Sequence, residues 1–174
     1  MKRQMEISKT IVVPESINWR EIYDDLLPRI YHFFWFKTGD PQLAEELTAM
    51  TFEKAWAGRE HYDHKLSKFQ SWLFGIARKV AADHFRHHKT ETPVDGAIAI
   101  SNQDVEKYVD AQLNFERLGG LLKALSERER SLVALKYGAG LNNREIARLT
   151  GLSETNVGTI LFRAISRLRE EWRQ

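Results

Sequence analysis

The chain has no cysteine among its 174 residues, which removes disulfides, thiol nucleophiles and cysteine-type zinc sites at once. It has only four prolines, and no segment alternates apolar and polar residues as a half-buried strand does. Internal repeats and low-complexity tracts are also missing. No run approaches the roughly 20 apolar residues needed to cross a bilayer. The opening, MKRQMEISKTIVVPES, has only a short apolar patch at Ile11 to Val13. That is too little for the core of a secretory signal, so cytoplasmic residence without membrane insertion is expected.

What is there is a soluble, helix-patterned chain, 43% hydrophobic and 29% charged. Its net charge of +2 is small but unevenly spread. Residues 115–174 hold 11 Arg or Lys against 7 Asp or Glu. Residues 90–114 carry Glu91, Asp95, Asp104, Glu106 and Asp110 against Lys107 alone. Phosphate neutralisation dominates DNA affinity, so the more basic ends are candidate DNA contacts, and the acidic strip is one only as a mimic of nucleic acid.

The most informative stretch is 142–169, NNREIARLTGLSETNVGTILFRAISRLR. Ile146, Ala147 and Leu149 give a first helix one apolar face, Gly151 and Leu152 make a turn, and Ser153 is placed to cap a second helix. Val157, Ile160, Leu161, Ala164 and Leu168 then recur at intervals of three and four, which turns Thr155, Asn156, Thr159, Arg163 and Arg167 outward. This is the pattern of a helix-turn-helix, whose polar second helix enters the major groove while neighbouring basic groups hold the backbone. The plainer alternative is a helical hairpin with a solvated charged face.

Upstream, Trp19, Ile22, Tyr23, Leu26 and Leu27 begin a helical stripe that Ile30, Phe33, Phe34 and Phe36 continue, until Gly39-Asp40-Pro41 breaks it. Asp40 and Pro41 suit an N-cap and a first turn, and Leu43, Leu47, Met50, Phe52 and Ala55 line the helix that follows. The polar GREHYDHKLSK reads as a loop. Phe69, Trp72, Leu73, Ile76, Ala77, Val80 and Phe85 form a third helical face that ends in Arg86-His87-His88-Lys89. After a linker, Leu118, Leu121, Leu122, Leu125, Leu132 and Leu135 build two helices beneath the helix-turn-helix, with a capping box at Ser126–Glu129. The expected architecture is all-α: an extension over 1–17, a bundle over 18–92, an acidic flexible linker over 93–114 that contains a short helix near Val105 to Leu113, and a second bundle over 115–174.

Three stretches, GDPQLAEELTAMTFEKAW, FQSWLFGIARKVAADHFRHHK and LSERERSLVALKYGAGLNNREIARLTGLSETNVGTILFRAISRLR, together resemble the bacterial RNA polymerase sigma factors of the extracytoplasmic-function group. The resemblance implies that the chain binds core RNA polymerase and directs transcription initiation without being an enzyme or needing a cofactor or metal. It also implies a partner anti-sigma protein, and contacts with both duplex and melted promoter DNA. The helix at 44–56 would hold polymerase through Glu46, Leu47, Thr48, Thr51, Phe52 and Lys54, with Leu43, Leu47 and Phe52 mostly in the core. Family members usually carry a Gln-Glu pair where this chain has Ala49-Met50.

The same resemblance assigns the minus-10 element to His61, Tyr62, His64, Lys65, Arg78, Lys79, His84, Arg86 and His87, where aromatic and basic groups can hold unstacked bases and the freed strand. Trp72 and Phe69 fit core positions by their helical spacing. The minus-35 element falls to Asn143, Arg144, Thr155, Asn156, Thr159, Phe162, Arg163 and Arg167. Gly158 and Ile160 stand where many members carry long basic side chains, and Phe162 suits either a thymine methyl or the interior. The acidic linker would thread the polymerase channel. Two rivals remain at this point: a stand-alone helix-turn-helix regulator, and a metal-dependent hydrolase built on Glu45, Glu46 and His84 to His88.

Overall fold

A computed structural model describes residues 19–87 and 105–173, and these contain seven α-helices and no strand. The extension 1–17 and the stretch 88–104, which holds His88, Lys89 and most of the acidic linker, lie outside the described residues. Helix α1 runs Trp19–Thr38, α2 Pro41–Ala57 and α3 Phe69–His87, with a short 3-10 turn at Arg59–His61. Helix α4 runs Val105–Ala124, α5 Glu127–Val133, α6 Asn143–Thr150 and α7 Glu154–Trp172.

The local chemistry explains the boundaries. Thr38 and Gly39, the latter at φ 64°, end α1, and the Asp40 carboxylate accepts from the Leu43 amide at 3.1 Å to start α2 with Pro41 in its first turn. Pro28 lies within α1 without ending it. Ser126 and Glu129 close a reciprocal capping box on α5. Helix α4 is longer than its sequence pattern predicts, because the short helix expected near Val105 is continuous with the next one through Gly119-Gly120. Helix α5 passes into a π-helical turn at Ala134–Gly138, a wider winding that periodicity does not encode.

Helices α1–α3 form one bundle around Ile30, Phe33, Phe34, Leu47, Leu73 and Phe74. Helices α4–α7 form a second around Leu122, Leu132, Leu135, Ile146 and Val157. The two do not stand apart, since α1 packs against α4, α5 and the π-turn as well as against α2 and α3. One buried hydrophobic cluster therefore runs through both bundles.

Polar groups also cross the boundary. Arg29 donates from Nε and Nη2 to the Ala139 carbonyl at 2.9 and 2.7 Å. Lys37, only 4% exposed, donates to the Ser131 hydroxyl and lies 3.7 Å from the Glu127 carboxylate. Burial pushes the Lys37 ammonium down to about 8, against the pull of Glu127 and with help from Arg130.

Candidate nucleic-acid and partner interfaces

The helix-turn-helix is built from two matched caps. Asn142 accepts from the Glu145 amide at 2.9 Å while Glu145 accepts from the Asn142 amide at 2.9 Å, which fixes the start of α6. Gly151, at φ 74°, supplies the left-handed residue that ends it, and the Ser153 hydroxyl accepts from the Asn156 amide at 3.2 Å to start α7. Val157, Leu161, Ala164 and Leu168 are buried, as their spacing requires.

The opposite face of α7 presents Thr155, Asn156, Thr159, Phe162 and Arg163 to solvent. Phe162 is 74% exposed, which settles its orientation: it belongs to the outer face and not to the core. Arg167 is exposed but bonded, its guanidinium 3.2 Å from Glu129 across the α5–α7 crossing. The Ser126 hydrogen bond, followed by Arg167, holds the Glu129 carboxyl below its ordinary range. Gly158 is half-buried where α7 crosses α6, and a Cβ there would come within 3.6 Å of the Asn143 side-chain Nδ2. Asn143 is half-buried and Arg144 exposed. A shallow polar groove between α5 and α7 brings Arg128, Asn156, Ile160 and Arg163 together, so Arg128 joins the face although sequence reasoning passed it over.

On α2, the residues assigned to partner binding divide. Leu47, Thr48 and Thr51 are buried, and both hydroxyls bond backwards to helix carbonyls, Thr48 to Ala44 at 2.6 Å and Thr51 to Leu47 at 2.8 Å. Glu46 and Lys54 are exposed and Phe52 is half-buried beside Tyr23. The outward face of the helix also includes Glu45, Ala49, Met50 and Glu53. Between α1 and α2 lies an open groove of about 450 Å³ lined by Tyr23, Tyr31, Glu45, Thr48, Ala49 and Phe52. Burial, followed by the Glu45 and Asp40 carboxylates, raises the Tyr31 phenol above its ordinary value. The Ala49 that replaces a polar residue of the family pattern is thus one wall of this groove.

The loop before α3 meets an aromatic cluster. Tyr62 lies 5.2 Å from Phe69 and 5.3 Å from Trp72, Phe69 lies 5.3 Å from Trp19, and Trp19 lies 5.2 Å from Trp56. Phe69 and Trp72 are half-buried, whereas Trp56 is 53% exposed with the Arg59 guanidinium 4.3 Å from its ring centroid. The Tyr62 hydroxyl donates to the Ser67 carbonyl at 3.0 Å, and burial raises its pKa. His61, His64 and Lys65 are exposed around this cluster.

Farther along α3, Lys79, Arg86 and His87 are exposed, with Arg86 paired to Asp83 at 2.9 Å, and His84 is half-buried against Phe85. Arg78 is turned the other way, donating to the Leu149 carbonyl of α6. The sequence reading assigned none of Trp19, Trp56 and Arg59 to this site. The first two look like core positions by periodicity, and only the fold brings the end of α2 to the start of α3. No group of three or more acids and histidines gathers among the described residues.

Two family models match the chain. Residues 22–91 match the family model for sigma-70 region 2, and residues 115–168 match that for sigma-70 region 4. The ECF RNA polymerase sigma factor SigM of Bacillus subtilis is 34% identical over 151 residues, covering 86% of this chain and 91% of that protein. The sigma factor RpoE of Bartonella quintana, solved with the anti-sigma factor NepR, superposes with a TM-score of 0.69 at 21% identity, covering 88% of this chain and 96% of that one. CnrH, solved with the cytosolic domain of CnrY, gives a TM-score of 0.67 at 19% identity, with 88% and 86% covered.

Proposed function

The chain belongs to the extracytoplasmic-function sigma factors of bacterial RNA polymerase, and we propose that it divides the family's work between its two bundles. As a sigma factor it binds core RNA polymerase and directs promoter recognition and initiation. In the division proposed, the exposed face of α2, with Glu46, Lys54 and the groove beside Ala49, docks on polymerase. The aromatic cluster at the start of α3, ringed by His61, His64 and Lys65, takes up unstacked bases. The outer face of α7 reads duplex DNA upstream. The chain works in the cytoplasm and contributes no catalytic group, so bond formation belongs to the polymerase.

An anti-sigma protein is its inactive-state partner in this reading. Support comes from the two fold neighbours, each a sigma factor or a related chain solved with a second protein. The observation that carries the assignment of DNA reading is the division of α7, with one face buried and the other offering Thr155, Asn156, Thr159, Phe162 and Arg163. Run-off transcription from the chain's own upstream region by core polymerase tests the function. Transcripts that depend on added chain are expected. DNA binding without such transcripts would favour the stand-alone regulator.

A further inference from the structure

Gly158 stands on the outer stripe of α7, three residues after Thr155 and four before Phe162. It is not among the positive-φ glycines, so alanine would satisfy its backbone, and glycine inside a helix is unfavourable. Close approach of another backbone does not explain it either. A Cβ on Gly119 would lie 3.1 Å from the Gly39 carbonyl oxygen and one on Gly138 2.7 Å from that of His32, whereas a Cβ on Gly158 meets the Asn143 side-chain Nδ2 at an ordinary 3.6 Å. Any side chain longer than alanine would compete with the Asn143 amide for that space. Asn143 is the first residue of α6, and its Oδ1 is buried with no hydrogen-bond partner among the described residues, which is a costly state for an acceptor. The cap of α6 is closed by Asn142 and Glu145 and makes no use of the Asn143 side chain.

We infer that Asn143 reads an adenine in the upstream duplex, admitted to the major groove by the side chain that Gly158 lacks. This rests on the helix-turn-helix reading proposed above. The first helix of such a motif crosses the DNA backbone while the second lies in the groove. A residue of α6 therefore reaches base edges only where α7 leaves room, and Gly158 leaves that room in line with Thr155 and Phe162. A carboxamide matches adenine, Nδ2 donating to N7 and Oδ1 accepting from the N6 amino group. Swinging onto the base breaks no internal hydrogen bond of Oδ1 and gives that atom the donor it lacks in the free protein. Asn143 and Gly158 thus set the preference at one base pair together, and a long side chain at 158 would displace the amide and take over the reading.

The test offers duplexes of randomised upstream sequence to core polymerase carrying the full chain, and sequences the bound fraction. The parent should select an A·T pair at one position where Asn143→Ala selects none, with the other positions unchanged. Competition between the selected duplex and its G·C counterpart at that pair should show a preference of about 5- to 150-fold for the parent, lost in Asn143→Ala. Gly158→Arg should install a guanine preference instead, and beside it Asn143→Ala should change nothing. Helical circular dichroism should match the parent in every variant, since the α6 cap is untouched. An unchanged preference in Asn143→Ala, or an effect that persists in full beside Gly158→Arg, would overturn the inference alone. So would a uniform loss on all sequences with a shallower salt dependence, which marks a phosphate contact. A parent complex that selects no upstream sequence would remove the helix-turn-helix reading and the inference with it.

Discussion

The Lys37 ammonium of α1 lies 3.7 Å from the Glu127 carboxylate at the start of α5, and of the two only the lysine is buried, its side chain 5% exposed against 74%. The geometry is therefore that of a desolvated cation with a wet partner, which explains why burial outweighs the ion pair and draws Lys37 down to about 8. The unfolded chain keeps this proton to its ordinary 10.5, so between pH 8 and 10.5 the unfolded state binds more protons and stability rises with pH. The shift corresponds to about 3 kcal/mol at most. Lys37→Met should flatten this rise and stabilise the protein near neutral pH by about 1–3 kcal/mol. Urea unfolding of both proteins from neutral pH to about pH 10 checks it, and a parent stability that falls across that window contradicts it.

Arg163 and Arg167, one turn apart on α7, should differ in kind. Arg163 lies on the open face, so Arg163→Ala should cost about 1–3 kcal/mol of specific duplex binding and leave stability nearly unchanged. Arg167 is committed to Glu129, and Arg167→Ala should lower thermal stability by up to about 1 kcal/mol. Paired thermal melts and duplex titrations at fixed salt separate the two effects.

Phe162 is a large apolar side chain left in water on the same face. Phe162→Ala should change stability by no more than about 0.5 kcal/mol, because little packing is lost. It should weaken binding to a cognate upstream duplex more than to an unrelated one, as loss of an apolar base contact does. Equal loss on both sequences would assign the ring to something other than base reading.

The face of the helix-turn-helix was legible because its signals are local: a cap, a glycine, a second cap and a run of intervals of three and four. Local signals also placed Leu47 in the core, yet they could not show that Thr48 and Thr51 turn their hydroxyls onto the helix's own carbonyls. The docking of the bundles left almost no trace. Gly138, Gly119 and Lys37 drew no reading from the sequence, and Arg78 was assigned to the minus-10 element. Each takes its meaning from a partner 71 to 110 residues away, as the bonds of Arg78 and Arg29 illustrate. The exposed Trp56 was obscured for the same reason, since its ring neighbour Trp19 reaches it only when α1 and α2 pack.

The aromatic cluster gives a prediction specific to strand capture. Trp56→Ala and Lys65→Glu should reduce binding of single-stranded promoter DNA by the polymerase-bound factor, by about 1–3 kcal/mol for the stacking ring. Upstream duplex binding, proposed for α7, should be unaffected. Fluorescence titration with each DNA form decides, and equal effects on both forms would remove the cluster from strand capture.

Binding of core RNA polymerase tests the account most directly. The full chain mixed with core enzyme should co-migrate on gel filtration, and the double change Glu46→Arg and Lys54→Glu, both on exposed positions of α2, should weaken that association while leaving the helical fold intact. A folded chain that fails to associate with core enzyme at micromolar concentration, or a double variant that associates as well as the parent, would contradict the account, the first in its function and the second in the face assigned to it.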